Sequence, residues 1–434
     1  MAAVNTTILR RRQWMAGSLK GLFIGKFPEP LVRTGSGQVA QIGDAAAHQG
    51  CHTVLVVSDE VLAGLGLVAT VCDGLAAAGV KAVIFAKVLP NVPADLIEEG
   101  TALYRSAGCD GIVAVGGGSP MDCAKLIGAC ICNPHKPLSK FVGKGFTVAN
   151  KDAALRAAYP PLIAVPTTAG TGSETSVAAV FLQDGLKRLV TDPVMVPKVA
   201  ILDPDVTLSL PQHVTAATGM DALTHAIESY VSTWSDAKSR QYSLRSVDRI
   251  GRSLLACFYR GDDKRAREDM LLASFEAGLA FTNVSVGYVH AIAHTLGAFF
   301  GVPHGAANAA VLPHVLDFYV ESGLCDEALA DLALALGAAT RYAERTAADR
   351  RELGPVLVQA VRTLNGEMGI ESTVAKMAPQ DVDRVVKRAL DEAHGGGMTW
   401  ELRDVGYPVP AFMTYADCEK IVRALLPTTA ASKL

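Results

Sequence analysis

The chain lacks a CxxC pair, lacks any apolar run of the roughly 20 residues that crossing a bilayer takes, and lacks a strong charge of either sign. Each lack argues against a class of function. Without CxxC spacing, a structural zinc site built on thiolates finds no support. The nine cysteines, at 51, 72, 109, 123, 130, 132, 257, 325 and 418, suit small buried hydrophobes in a reducing compartment. Without a spanning run, no integral membrane segment is expected. With 19% charged residues and a net charge of −3, nothing global favours nucleic acid as a partner.

What is present points to a large folded protein. Half of the 434 residues are hydrophobic, enough for two or three domain cores. Before Glu29 the chain carries Arg10, Arg11, Arg12, Lys20 and Lys26 and no acid, with Met15, Leu19, Leu22 and Phe23 at helical spacing. Such a segment resembles a transit peptide or a membrane-surface helix, but Gly17, Gly21 and Gly25 weaken a helix. We read residues 1–30 as a structural arm and the protein as cytoplasmic.

Short β-branched runs then alternate with helix-like stretches. The strand candidates are TVLVVS (53–58), AVIFA (82–86), GIVAV (111–115), LIAVP (162–166) and VAIL (199–202). This alternation predicts an α/β domain over 31–205 with a mostly parallel sheet. From about residue 206 alanine and leucine dominate and strand-like runs nearly vanish, so 206–434 reads as a helical domain.

Two turns in the first part carry chemistry. GIVAVGGGSPMDCAK (111–125) runs from a strand through three glycines into a helix with Pro120 in its first turn. A helix N-terminus behind such a turn suits a phosphate, although a tight structural turn has the same look. LIAVPTTAGTGSETS (162–176) repeats the plan with hydroxyls, which line a ribose or cap a helix. GLGLVA (64–69) matches a dinucleotide fingerprint only formally, because SDEVLA separates it from the strand. Asp59, just past TVLVVS, either holds a ribose 2′-hydroxyl or caps a helix.

The helical part supplies a second chemistry. TGMDALTHAIESY sets Asp221 and His225 four apart, on one face of a helix. GYVHAIAHTLGAFFGVPHG does the same for His290 and His294, with His304 in the turn GVPHG. One Asp with three His is a plausible set for a divalent metal, and ligation by N and O without cysteine suits Fe(II), with Zn(II), Mn(II), Co(II) and Ni(II) as alternatives.

Taken together, GGGSPMDCAK, PTTAGTGSETS, DPDVTLSLP, TGMDALTHAIESY and GYVHAIAHTLGAFFGVPHGAANAAVLPHV resemble the iron-containing (group III) alcohol dehydrogenases, from about residue 30 to about 315. The resemblance implies a Rossmann-like α/β domain followed by an all-α metal-binding domain, the architecture that dehydroquinate synthase shares. It implies metal ligation by Asp221, His225, His290 and His304, with His294 beside the nicotinamide, where an imidazole suits a proton relay. It further implies that Gly117, Gly118 and Ser119 meet the pyrophosphate of NAD. Thr167, Thr168 and Thr171 would lie along the cofactor, with Lys187 near its adenosine half. Asp59 falls where the family selects NAD over NADP, and Asn91 matches a cofactor asparagine, although the usual PNP reads PNV here. The tail GGGMTWELRDVGYPVPAFMTYADCEKIV also departs from the family's usual ending.

The implied activity is interconversion of a small primary alcohol or diol and its aldehyde, in a homo-oligomer of at least two chains. Apolar residues flank the candidate ligands, which favours an uncharged substrate over the phosphorylated acids of a dehydroquinate-synthase-like lyase, the alternative. A cofactor-binding protein without turnover is a third reading.

Overall fold

The computed structural model describes residues 27–149, 152–339, 347–395 and 406–427. The N-terminal arm as far as Lys26, and 396–405 of the divergent tail, lie outside the described residues. Contacts divide the chain into two compact units: 27–210 with 262–282, and 211–261 with the described residues from 283 onward.

The first unit is built on a six-stranded parallel sheet of β1 (Leu31–Thr34), β2 (Thr53–Val57), β3 (Lys81–Phe85), β4 (Gly111–Gly116), β6 (Leu162–Pro166) and β9 (Val199–Leu202). Their order across the sheet is β1-β9-β6-β4-β2-β3. The central strands are unbroken apolar runs because both of their faces are covered. Leu55, Val57, Ile112, Ala114, Leu162 and Ala164 enter one core, and Val54, Val56, Val113, Val115, Ile163 and Val165 enter the other.

The expected strands all form. Three others form a small second sheet: β5 (Gly143–Phe146), β7 (Ala178–Gln183) and β8 (Leu186–Thr191), in the order β5-β8-β7. Asp184 and Gly185, at φ 52° and 71°, close the β7–β8 hairpin with both turn residues left-handed.

The helix Lys264–Val284 differs from the sequence-based expectation. It falls inside the span 206–434, yet its residues up to Thr282 belong to the α/β unit. Polar contacts tether its start there. Lys264 Nζ pairs with Asp205 Oδ1 at 2.6 Å, and Thr34 Oγ1 donates to Glu268 Oε1 at 3.1 Å.

In the helical unit, the helix Gln212–Val231 packs on Ala237–Tyr259 and on His304–Ser322. Tyr288–Phe300 packs on His304–Ser322 and on Val382–Ala393. His304 is thus not in a turn: Pro303 is the N-cap and His304 begins a helix of 19 residues. Gly305 lets this helix come close. A Cβ there would fall 2.2 Å from the Ala217 carbonyl oxygen. Among the described residues no single helix is long and apolar enough to cross a membrane.

Candidate metal centre and cofactor turns

The helix Gln212–Val231 carries Asp221 and His225 one turn apart, and Tyr288–Phe300 carries His290 and His294 in the same relation. Because Gly305 seats the third helix against the first, His304 arrives at the same point. Ligand atoms of Asp221, His225, His290 and His304 all lie within 4.8 Å of one another. Asp221 Oδ1 stands 3.9 Å from His225 Nδ1, 3.9 Å from His290 Nε2 and 3.5 Å from His304 Nε2. Two atoms each about 2.1 Å from a shared ion, at a tetrahedral angle, would stand about 3.4 Å apart. The observed spacings are close to that separation.

The electrostatics also fit a cation. Burial alone would push the Asp221 carboxyl up, but the imidazoles of His225, His304 and His290, with the Asn308 amide, hold it below the usual carboxylate range. Burial, followed by the neighbouring imidazoles of His225 and His304, pushes His290 well below its ordinary value, toward the neutral form that ligates. Asn308 Nδ2 lies 2.7 Å from Asp221 Oδ1 and 3.2 Å from both His290 Nε2 and His304 Nε2. Its own Oδ1 is buried and has no hydrogen-bond partner among the described residues. Several lone pairs thus converge on one donor group, as they would on a positive ion.

Two carboxylates escaped the sequence reading. Glu228, one turn beyond His225, accepts the N–H groups of Gly287 (2.8 Å) and Val289 (2.7 Å) and pairs with His290 Nδ1 at 2.6 Å. It covers the first turn of the helix Tyr288–Phe300 and leaves His290 Nε2 toward Asp221. Burial pushes its carboxyl up to about 7, against the lowering pull of those two N–H groups. Its spacing from Asp221, seven residues on the same helix face, was the one available signal. The second carboxylate, Glu392, reaches His294 Nδ1 at 2.7 Å from 98 residues away, a distance no motif reveals. The His294 ring stacks on His304 with centroids 5.2 Å apart.

In the α/β unit, the C-terminal ends of the neighbouring strands β2, β4 and β6 bear Asp59, the Gly117 turn and the Thr167 turn, the usual side for ligands in such sheets. Gly117 caps the helix Gly118–Cys132, placing Gly118 and Ser119 in its first turn. The two turns touch: Cβ atoms built on Gly117 and Gly118 would lie 3.2 Å from Thr168 Oγ1 and 3.4 Å from Thr171 Cγ2. Thr167 is buried, and its N–H donates to the Gly116 carbonyl.

Behind the turns, the wholly buried Lys125 donates to Ser173 Oγ, Ser176 Oγ and the carbonyls of Ser176 and Ala178, at 2.9 to 3.0 Å. Asp122 accepts from Ser173 Oγ and from Val180 N–H. This network braces the second turn against the helix of the first. Asp59 accepts the Leu62 N–H at 2.9 Å and caps the helix Glu60–Gly64. Val92, which follows Asn91 (φ 63°), and Lys187 both adjoin Leu182. The Val92 carbonyl accepts the Leu182 N–H at 2.9 Å, and Lys187 stands opposite Leu182 in the hairpin.

Two family models match the chain, one described as iron-containing alcohol dehydrogenase over residues 30–204 and one as the C-terminal part of that family over 215–401. The lactaldehyde reductase of Escherichia coli (strain K12) is 34% identical over 367 residues, 84% of this chain and 92% of that protein. The crystal structure of a 1,3-propanediol oxidoreductase superposes with a TM-score of 0.81 at 30% identity, covering 92% of this chain and all of that one. A sulfoacetaldehyde reductase from Bifidobacterium kashiwanohense, solved in complex with NAD+, reaches a TM-score of 0.78 at 25% identity, over 93% of this chain and 98% of that one.

Proposed function

The chain belongs to the iron-containing alcohol dehydrogenase family and is an alcohol dehydrogenase, and on that premise we propose that Asp221, His225, His290 and His304 hold one divalent metal ion, with Fe(II) foremost and Zn(II) as the alternative. The observation that carries the reading is the convergence of these four donors within 4.8 Å. NAD is the cofactor in this reading, supported by the two touching turns at the strand ends. Gly118 and Ser119 offer N–H groups in the first turn of their helix to the pyrophosphate. Thr167, Thr168 and Thr171 line the cofactor, Asn91 lies near it, Lys187 serves its adenosine half, and the Asp59 carboxylate repels a 2′-phosphate.

When bound, the metal supplies Lewis acidity that lowers the pKa of an alcohol oxygen, and the nicotinamide supplies a hydride acceptor. The protein's own part is positioning and proton handling. Glu228 and Asn308 orient the ligands. His294 holds and passes the proton that the alcohol gives up, imidazole being the side chain suited to that task near neutral pH.

The substrate in this reading is a small uncharged alcohol or diol, and the lactaldehyde and 1,3-propanediol couples of the relatives are the first to try. A homo-oligomer is part of the same proposal, supported by β1, an edge strand with Leu31 and Val32 exposed, and the cytoplasm is the compartment proposed with it. The lyase alternative is set aside, because the relatives are reductases and alcohol dehydrogenases.

The test is NAD+ reduction, followed by absorbance, with chelator-stripped protein, a panel of short alcohols and diols, and Fe(II) or Zn(II) added back anaerobically. Metal-dependent NADH formation is expected. Its absence with every alcohol and metal, while NAD still binds, would sink the reading.

A further inference from the structure

The divergent tail has no place in the reading so far, yet it reaches the site. Glu392 closes the helix Val382–Ala393, which packs against the helix bearing His294. Its Oε1 lies 2.7 Å from His294 Nδ1 and also accepts the Tyr407 hydroxyl at 2.8 Å. Tyr407 is buried and anchored in turn, its N–H donating to the Ala393 carbonyl at 2.7 Å. Glu392 itself is mostly covered, with a side-chain exposure of 18%.

We propose that Glu392 and Tyr407 are positioning residues for His294: the carboxylate accepts a hydrogen bond from Nδ1–H, which keeps its proton, and so leaves Nε2 as the free acceptor. The inference rests on the reading of His294 as the proton relay. Which imidazole nitrogen carries the proton is set by the bond the other makes. A carboxylate is an acceptor only, so a neutral His294 facing it presents Nδ1–H to Glu392. Tyr407 donates to that same oxygen and fixes the direction of the carboxylate, and the anchored backbone at residue 407 fixes Tyr407. The ring cannot then turn to offer Nδ1 to the substrate without breaking a charge-assisted bond. Without Glu392, both tautomers and several ring orientations become available, and the relay is in its productive form for only part of the time.

The test is a double-mutant cycle on the metal-loaded enzyme with His294→Ala, Glu392→Gln and the pair. A general acid–base group contributes about 10²- to 10⁴-fold, so His294→Ala should lower kcat by at least 100-fold. Glu392→Gln should lower kcat about 10-fold or more, with the alcohol KM, the metal content and the NADH dissociation constant all within about twofold of the parent, as expected of a residue acting only through the relay. Added to His294→Ala, it should cost less than about twofold, because its target is gone. Glu392→Asp should recover part of the loss, and Tyr407→Phe should show a smaller one. Histidine-selective 15N spectra of the zinc-loaded protein should show the Nδ1–H tautomer at His294 in the parent and a mixture in Glu392→Gln.

A slow His294→Ala combined with a silent Glu392→Gln, or with equal losses from Glu392→Gln in both backgrounds, would overturn the positioning role alone. An undiminished His294→Ala would overturn the relay reading and the inference with it.

Discussion

Replacing Glu228 with Gln tests whether the proposed metal ligands depend on the carboxylate behind them. The side chain keeps its shape, so the helices Gln212–Val231 and Tyr288–Phe300 should stay in place. In the parent, Oε2 takes the Gly287 N–H and His290 Nδ1, and Oε1 takes the Val289 N–H. In the better orientation the new amide keeps its oxygen at the Oε2 position, and its NH2 then faces the Val289 donor.

One buried N–H loses its acceptor, at about 1–3 kcal/mol, and the bond to His290 falls from charge-assisted to neutral, at about 1–2 kcal/mol. Stability should therefore drop by roughly 2–5 kcal/mol, while metal affinity weakens by about 10- to 100-fold as His290 loses its orientation. The assay is competition for Co(II) or Zn(II) against a chromogenic chelator, with circular dichroism as the control for folding. A folded variant that binds metal within twofold of the parent would refute the claim that Glu228 aims His290 at a metal.

Three further outcomes follow from the same geometry. Gly305→Ala places a methyl against the Ala217 carbonyl and must push His304 outward; thermal unfolding should show a loss of about 1–3 kcal/mol, and elemental analysis a loss of metal. The Glu174 carboxyl is pushed by burial from 4.5 up to about 7, so its contribution to stability is complete below 4.5 and fades as the pH rises through 7. Between pH 4.5 and 8, Glu174→Gln should therefore gain stability relative to the parent by up to about 3 kcal/mol in denaturant titrations, and a constant difference would contradict this. Asp59→Ser retains a helix cap but removes the charge facing a 2′-phosphate, so the KM for NADP should fall more than about tenfold with little change in Tm; an unchanged cofactor preference would leave Asp59 as a cap alone.

How far the sequence revealed this arrangement depends on where each partner lies. β2, β4, β6 and β9 were legible because burial on both faces demands unbroken apolar runs. β1 was missed because two of its four residues, Leu31 and Val32, are large hydrophobics on an exposed edge. The β7–β8 hairpin did carry a signal, Asp184-Gly185 between two apolar runs, which the reading passed over.

The pairs Asp221/His225 and His290/His294 were legible as helical neighbours. That His304 joins them as one metal set was an inference from residue types, and the choice of His304 over His294 as the ligand rested on family resemblance, since only Gly305 and the packing of three helices make the grouping spatial. Glu228 and Asn308 stood within a turn or two of recognised residues, whereas Glu392 and Tyr407 become visible only when the tail folds back. The helix Lys264–Val284 went to the wrong part of the chain because composition does not report that its tethers are Asp205 and Thr34.

The most direct test of the central claim is an anaerobic titration of the stripped protein with Fe(II), following bound metal and NAD+ reduction by 1,3-propanediol together, in the parent and in a His225→Ala/His290→Ala variant. Activity in the parent should rise with metal and level off at one ion per chain, while the folded variant should bind no tight ion and make no NADH. Equal binding and turnover in the variant, or full turnover by the stripped parent, would contradict that claim.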